Sequence, residues 1–242
     1  MKNTSCWAEE IYINSGMEKN NSLNIGDFEA VIFDMDGVLV DSEPIWKIAM
    51  EEVFRSIGCH LTRKDFAKTV GLRLDEVVSY WHAVAQWQQY SNEEVVRMII
   101  SKMADLLKKD SQPMSGVVDT LHFLKDSGIK IGLATSSYEV LVDTVLSTHN
   151  LKQYFQYTHS AENERYGKPH PAVYLSCAEK LNVSPLKCLV IEDSLNGVIS
   201  GKAARMKVVC IPEKTHVPEP KLMIADFMFD SMSALLEAVR SN

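Results

Sequence analysis

The chain has 242 residues, 46% hydrophobic and 24% charged, enough apolar material for a sizeable core and too much for bulk disorder. A formal charge of -7 at pH 7, with scattered lysines and arginines, excludes a basic field for a phosphate backbone, and no apolar run reaches the roughly 20 residues that span a bilayer. The five cysteines lack CxxC or Cys/His metal spacing and most sit in apolar periodic segments, which predicts reduced, buried thiols in a cytoplasmic protein with neither nucleic acid nor membrane as partner.

Residues 1–28 are largely polar and Asn/Ser-rich ("MEKNNSLNIGD") and predict an N-terminal leader outside the core. The first strand, "AVIFD" (30–34), ends where "DMDG" sets Asp34 and Asp36 two positions apart. "VDSEP" then reads as a helix start, with Asp41 a candidate cap. From 45 to 111 the pattern is helical throughout ("IWKIAMEEVFRSIG", "RKDFAKTV", "RLDEVVSYWHAVAQW", "NEEVVRMIISKMADLLKKD"), which predicts an all-helical inserted cap domain hinged at Gly37 and at Gln112–Gly116. Its aromatic group, Trp46, Tyr80, Trp81, His82, Trp87 and Tyr90, reads mainly as the core of that small domain.

Beyond the insertion, strand and helix patterns alternate. "KIGLATS" (130–136), "CLVIED" (188–193), "KVVCIP" (207–212) and "DFMF" (226–229) read as strands buried on both faces, and "SGVVDTLHFLKDSG", "EVLVDTVLSTHN", "PAVYLSCAEKLN" and "NGVISGKAARM" as helices between them. The fold class is therefore α/β: a doubly wound, Rossmann-like parallel sheet formed by 29–44 and 112–242, carrying the cap at 45–111.

In an open α/β sheet, residues that stop the strands converge on one crevice. Here these are Asp34 and Asp36, Thr135 and Ser136, and Glu192 and Asp193, joined by Lys168 from "ERYGKPHP" and by Asn196 from the next helix. Carboxylates gathered so closely repel unless something positive sits among them, and an oxygen-only set with a carboxylate pair favours Mg²⁺ beside the lysine. That arrangement suits phosphoryl transfer. Asp34 would attack phosphorus and Asp36 would move the proton, Thr135, Ser136 and Lys168 would bind phosphoryl oxygens, the metal would sit among Asp34, Asp36, Asp193 and, directly or through water, Glu192, and Asn196 would orient the acidic loop. Arg73, between two cap helices, would bring a guanidinium to the substrate.

The four segments "DMDGVLVDSEP", "LATSS", "GKPHP" and "VIEDSLNG" resemble, in order, the motifs of the haloacid dehalogenase superfamily. The resemblance implies Asp34 as nucleophile, Asp36 as acid/base with its backbone carbonyl on Mg²⁺, Thr135 and Lys168 on phosphate, and Glu192 and Asp193 at the metal. Within the superfamily, the cap resembles those of β-phosphoglucomutase and of sugar-phosphate phosphatases. On "SEPIW", "VGLRLDEVVSYWHAVAQW" and "SGKAARM" the chain resembles bacterial hexitol phosphatases that also take 2-deoxyglucose-6-phosphate. The mutases carry histidine where this chain has Trp46, and their cap arginine aligns one position after Arg73. The implied activity is Mg²⁺-dependent hydrolysis of small phosphomonoesters by a monomer, with a sugar-phosphate mutase as the alternative.

Overall fold

The computed structural model describes residues 23–69, 72–213 and 219–241, with the side chains of 63, 64 and 67 excepted. Six parallel strands form one sheet in the order β3-β2-β1-β4-β5-β6: β1 Ala30–Phe33, β2 Lys130–Thr135, β3 Tyr157–Ser160, β4 Cys188–Glu192, β5 Lys207–Cys210 and β6 Phe227–Met228. The strand order reverses direction at β1, between β2 and β4, which opens a crevice at the carboxyl ends of these three strands. Phe33 is level with both Leu133 and Ile191, so the residues just beyond them arrive at one height.

Alternation along the strands sends side chains to two separate cores. Val31, Phe33, Ile131, Leu133, Leu189 and Ile191 pack on one face with α5 (Val117–Asp126), α6 (Glu139–Thr148) and α9 (Met232–Arg240). Ile32, Ala134, Val190 and Val208 pack on the other with α7 (Ala172–Lys180) and α8 (Leu195–Ala203). The edge strand β3 and the last helix α9 were not apparent in the sequence pattern.

Between β1 and α5 lie α1 (Glu43–Ser56), α2 (Arg63–Phe66), α3 (Leu74–Ala85) and α4 (Asn92–Asp110), and no described residue between β1 and α5 belongs to a strand of the sheet. Ser91 and Glu94 form a reciprocal capping box that starts α4, and Lys108 and Lys109 lie in its last turn, where they complement the helix dipole. Val53, Phe54, Trp81, Trp87, Val95, Ile99 and Met103 are buried among these helices, in the same hydrophobic cluster as the first face of the sheet, with His82 stacked on Trp87 at 4.6 Å. Trp81 and Trp87 are thus packing residues, as the aromatic pattern implied, whereas Tyr80 and Tyr90 of the same group are exposed and do not form part of that core. The chain leaves and re-enters the core side by side: Val40 bridges Pro113, and Met114 N–H donates to Leu39 O at 2.9 Å.

The leader assignment needs a correction at its end. Leu23 is completely buried and Phe28 nearly so, both in the main hydrophobic cluster, so residues 23–28 pack on the core rather than outside it. The rest of that assignment, 1–22, lies outside the described residues. Among the described residues no helix is long and apolar enough to cross a membrane.

Candidate active site

Asp34 follows the last residue of β1, its N–H fixed to Ile191 O of β4 at 3.0 Å, and it is buried. Oxygens of Asp34, Glu192 and Asp193 all lie within 4.8 Å of one another. Lys168 reaches this cluster from the loop before α7: Nζ stands 2.9 Å from Asp34 Oδ1 and donates to Glu192 Oε1 at 2.7 Å and to Ala134 O at 3.1 Å. Asp34 Oδ1 is a buried oxygen held chiefly by the charge of that ammonium, without a well-formed hydrogen bond.

Burial governs the protonation of these groups. It pushes Asp34 up to about 7, with Glu192 and Asp36 reinforcing and Lys168 opposing. Asp193 is raised well above the usual carboxylate range by burial and then by Glu192 and Asp34. Glu192 goes the other way, because Lys168 and its hydrogen bonds outweigh burial. Burial would lower Lys168, but Asp34 and Glu192 hold it above its ordinary range. Among the described residues three acidic side chains face one ammonium, and the raised values of Asp34 and Asp193 mark a place where a divalent cation, which oxygen donors of this kind fit, would favour their charged forms.

Backbone shape makes room for it. Gly37 adopts φ +71° directly against Asp193, where a Cβ would lie 2.0 Å from Oδ2. Gly197, in the first turn of α8, presses equally close on Glu192, whose Oε2 accepts from Asp193 N–H at 3.0 Å, Ser194 N–H at 3.2 Å and Ser194 Oγ at 3.1 Å, while Oε1 takes Lys168 and Tyr174 Oη, the latter at 2.6 Å. Glu192 is thus the most heavily hydrogen-bonded of the three, and Asp34, Glu192 and Asp193 each offer one oxygen to the same cluster.

The Asp36 carboxylate stands apart from this group. Ser42 Oγ and, at 3.3 Å, Trp46 Nε1 donate to its Oδ1, and Ser137 Oγ donates to Oδ2 at 2.6 Å. Ser42 begins α1 without a side-chain capping bond, since its hydroxyl is committed to Asp36; the helix start read in "VDSEP" is present, but Asp41 is exposed and does not cap it. Ser137 is itself held by the overlooked strand β3, whose Ser160 Oγ donates to Ser137 O at 2.6 Å.

The remaining sequence candidates divide. Thr135 is buried at the end of β2 with Oγ1 accepting from Ser137 N–H at 3.1 Å, whereas Ser136 is exposed and its neighbour Ser137 makes the inward contact. Asn196 sits half-buried in the first turn of α8. Arg73 leads into α3 and bridges cap to core: Nη1 donates to Glu164 O at 3.4 Å, its stem rests on Gly167, and Asp75 pairs with Nε at 3.2 Å. Sequence reasoning missed Ser42, Ser137 and Tyr174 as members of the site, and marked Trp46 by its resemblance to the mutases' histidine position without seeing its bond to Asp36.

This geometry is accompanied by a family match over residues 31–211, described as haloacid dehalogenase-like hydrolase. The chain belongs to that family. It is 40% identical over 207 residues to hexitol phosphatase B of Escherichia coli K12, covering 85% of this chain and 93% of the relative. It is 34% identical over 183 residues to a phosphorylated carbohydrates phosphatase of Thermotoga maritima, covering 73% and 81% of the two chains. Among solved structures, CbbY from Rhodobacter sphaeroides in complex with phosphate superposes with a TM-score of 0.79 at 21% identity, covering 88% of this chain and 99% of that one, which shows a shared fold. As a haloacid dehalogenase-like hydrolase, the chain places its acidic cluster at the strand ends, where the fold gathers its ligands.

Proposed function

We propose that this hydrolase is a cytoplasmic, monomeric phosphatase of small phosphomonoesters, sugar or sugar-alcohol phosphates, using Mg²⁺. The observation that carries the reading is the buried Asp34 Oδ1, without a well-formed hydrogen bond, beside Lys168 and within reach of Asp193. The residues fit a divalent cation held by Asp34 and Asp193, with the Asp36 backbone carbonyl completing the set and Glu192 positioning the loop. Bound there, Mg²⁺ supplies positive charge to the phosphoryl oxygens.

The chain's own groups account for the rest. Lys168 and Thr135 orient the phosphoryl group, and an Asp34 oxygen attacks phosphorus while the ester oxygen departs with a proton from Asp36. Asp36 then takes a proton from the incoming water, whose oxygen displaces phosphate from Asp34 and restores the carboxylate. Ser42, Trp46 and Ser137 hold Asp36 for both transfers. Arg73 lies on the loop that carries Lys168, where cap closure excludes water and reads the alcohol portion.

Hydrolysis is favoured over the mutase alternative by Trp46, which stands where the mutases carry histidine, and by the names of the 40% and 34% identical relatives. The buried free thiols Cys59, Cys177, Cys188 and Cys210 support a reducing compartment. A phosphate-release screen over hexose, pentose and polyol phosphates, with and without Mg²⁺, tests the reading. The expected result is Mg²⁺-dependent release from at least one class; rearranged sugar phosphate without release would overturn it.

A further inference from the structure

Tyr174 lies in α7 with no exposed surface, where phenylalanine would satisfy packing alone. A buried phenol needs a partner, and this one is spent on the site. Its hydroxyl donates to Glu192 Oε1 at 2.6 Å, the same oxygen that accepts from Lys168 at 2.7 Å, and its ring faces the ammonium with the centroid 4.8 Å from Nζ. One side chain therefore touches both halves of the buried ion pair.

We propose that Tyr174 is a positioning residue for phosphate binding, which holds Glu192 and Lys168 in common so that the ammonium stays extended toward Asp34. The inference rests on the phosphatase reading and names a residue that its motifs leave out. Lys168 has three anchors: Asp34, Glu192 and Ala134 O. The phenol shares the charge of Glu192 Oε1, and the ring blocks the ammonium from folding back along α7. With the hydroxyl removed, Oε1 keeps one donor and draws Lys168 toward itself, away from Asp34 and from an arriving phosphoryl oxygen. The Asp193 loop is held separately through Glu192 Oε2, so cation binding survives the change.

The test compares wild type with Tyr174→Phe and Tyr174→Leu in three measurements: turnover on the best substrate of the screen, calorimetric binding of inorganic phosphate with Mg²⁺ present, and Mn²⁺ binding without phosphate. For Tyr174→Phe the expected result is about a tenfold loss in both kcat/KM and phosphate affinity, the scale of one hydrogen bond to a charged group, with Mn²⁺ affinity within about twofold. Tyr174→Leu, which also removes the ring, loses more. Phosphate affinity and kcat/KM unchanged within about twofold in Tyr174→Phe overturn the inference. A parallel loss of Mn²⁺ affinity and thermal stability overturns it too, since that marks a structural role. If neither variant folds, the Lys168 ammonium resonance of the wild-type protein decides: a slowly exchanging signal shifted by the ring supports the arrangement, and a freely exchanging one sinks it. Wild type that releases no phosphate from any substrate defeats the phosphatase reading instead, and phosphate binding by the two variants still judges Tyr174.

Discussion

Gly37 and Asp193 meet with no room for a methyl group between them: a Cβ on Gly37 would stand 2.0 Å from Asp193 Oδ2. Gly37→Ala must move one of the two loops, and the left-handed φ of +71° adds strain. A displacement of about 1 Å at a reacting centre costs about a hundredfold in rate. The expected outcome is that loss in kcat/KM together with a weakened Mg²⁺ titration, read by calorimetry. Full activity in the variant would mean that Asp193 tolerates another position.

Asp34→Asn is expected to abolish turnover, because an amide does not attack phosphorus. Asp193→Asn replaces a carboxyl whose anion is disfavoured by burial and then by Glu192 and Asp34, and in metal-free protein the relief should raise the melting temperature by about 2–4 °C, equivalent to about 1 kcal/mol. The same variant should lose the stabilisation that Mg²⁺ gives to wild type. Calorimetric scans with and without metal check both halves.

Lys168 is the counter-charge of a buried pair, with side-chain exposures of 6% for Lys168 and 0% for Glu192. Lys168→Ala strands Glu192 and Asp34 in the interior, at a cost of about 3 kcal/mol in urea unfolding of the metal-free protein. A cost near zero would show that water replaces the ammonium.

Arg73→Ala removes the contacts to Glu164 O and Gly167 without touching the carboxylates. KM on the best substrate is expected to rise about tenfold with kcat within about threefold, the pattern of lost uniform binding. A selective fall in kcat would place Arg73 in the chemistry itself.

Asp226 couples stability to pH away from the site. Burial pushes its carboxyl up, but Lys202 at 2.7 Å, Lys207 at 2.8 Å and Val208 N–H at 2.9 Å overcome that and hold it below its ordinary value of 3.8. Because the folded value lies below the unfolded one, its stabilisation is complete above about pH 4 and disappears as pH falls through the folded value. Asp226→Asn should therefore cost about 1.5–3 kcal/mol at pH 7, with the gap to wild type closing in acid. A gap independent of pH would assign the effect to packing.

The sequence revealed the sheet centre and the four carboxylates because both depend on local signals: apolar runs with polar stops at fixed offsets. β3 was hidden because "YTHS" is an edge strand, with Tyr157 and His159 only half-buried and Thr158 exposed, and lacks the apolar run of its neighbours. Ser137 was overlooked for Ser136 since a turn after β2 rotates the next residue inward, a step that no periodicity records. Trp46 reads mainly as a packing aromatic and Tyr174 draws no notice within its helix pattern, and both do pack. Their second use, a single polar atom aimed at Asp36 or Glu192, emerges only when distant segments meet.

The bridge between Val40 and Pro113 has a consequence for the history of such molecules. The outgoing and returning threads are fastened together there, so the stretch between them enters and leaves at one place even though its helices share a hydrophobic cluster with the sheet. A lineage could vary the helices beyond Trp46 and so acquire new diets, provided that Ser42 and Trp46, just inside the fastening, keep their hold on Asp36.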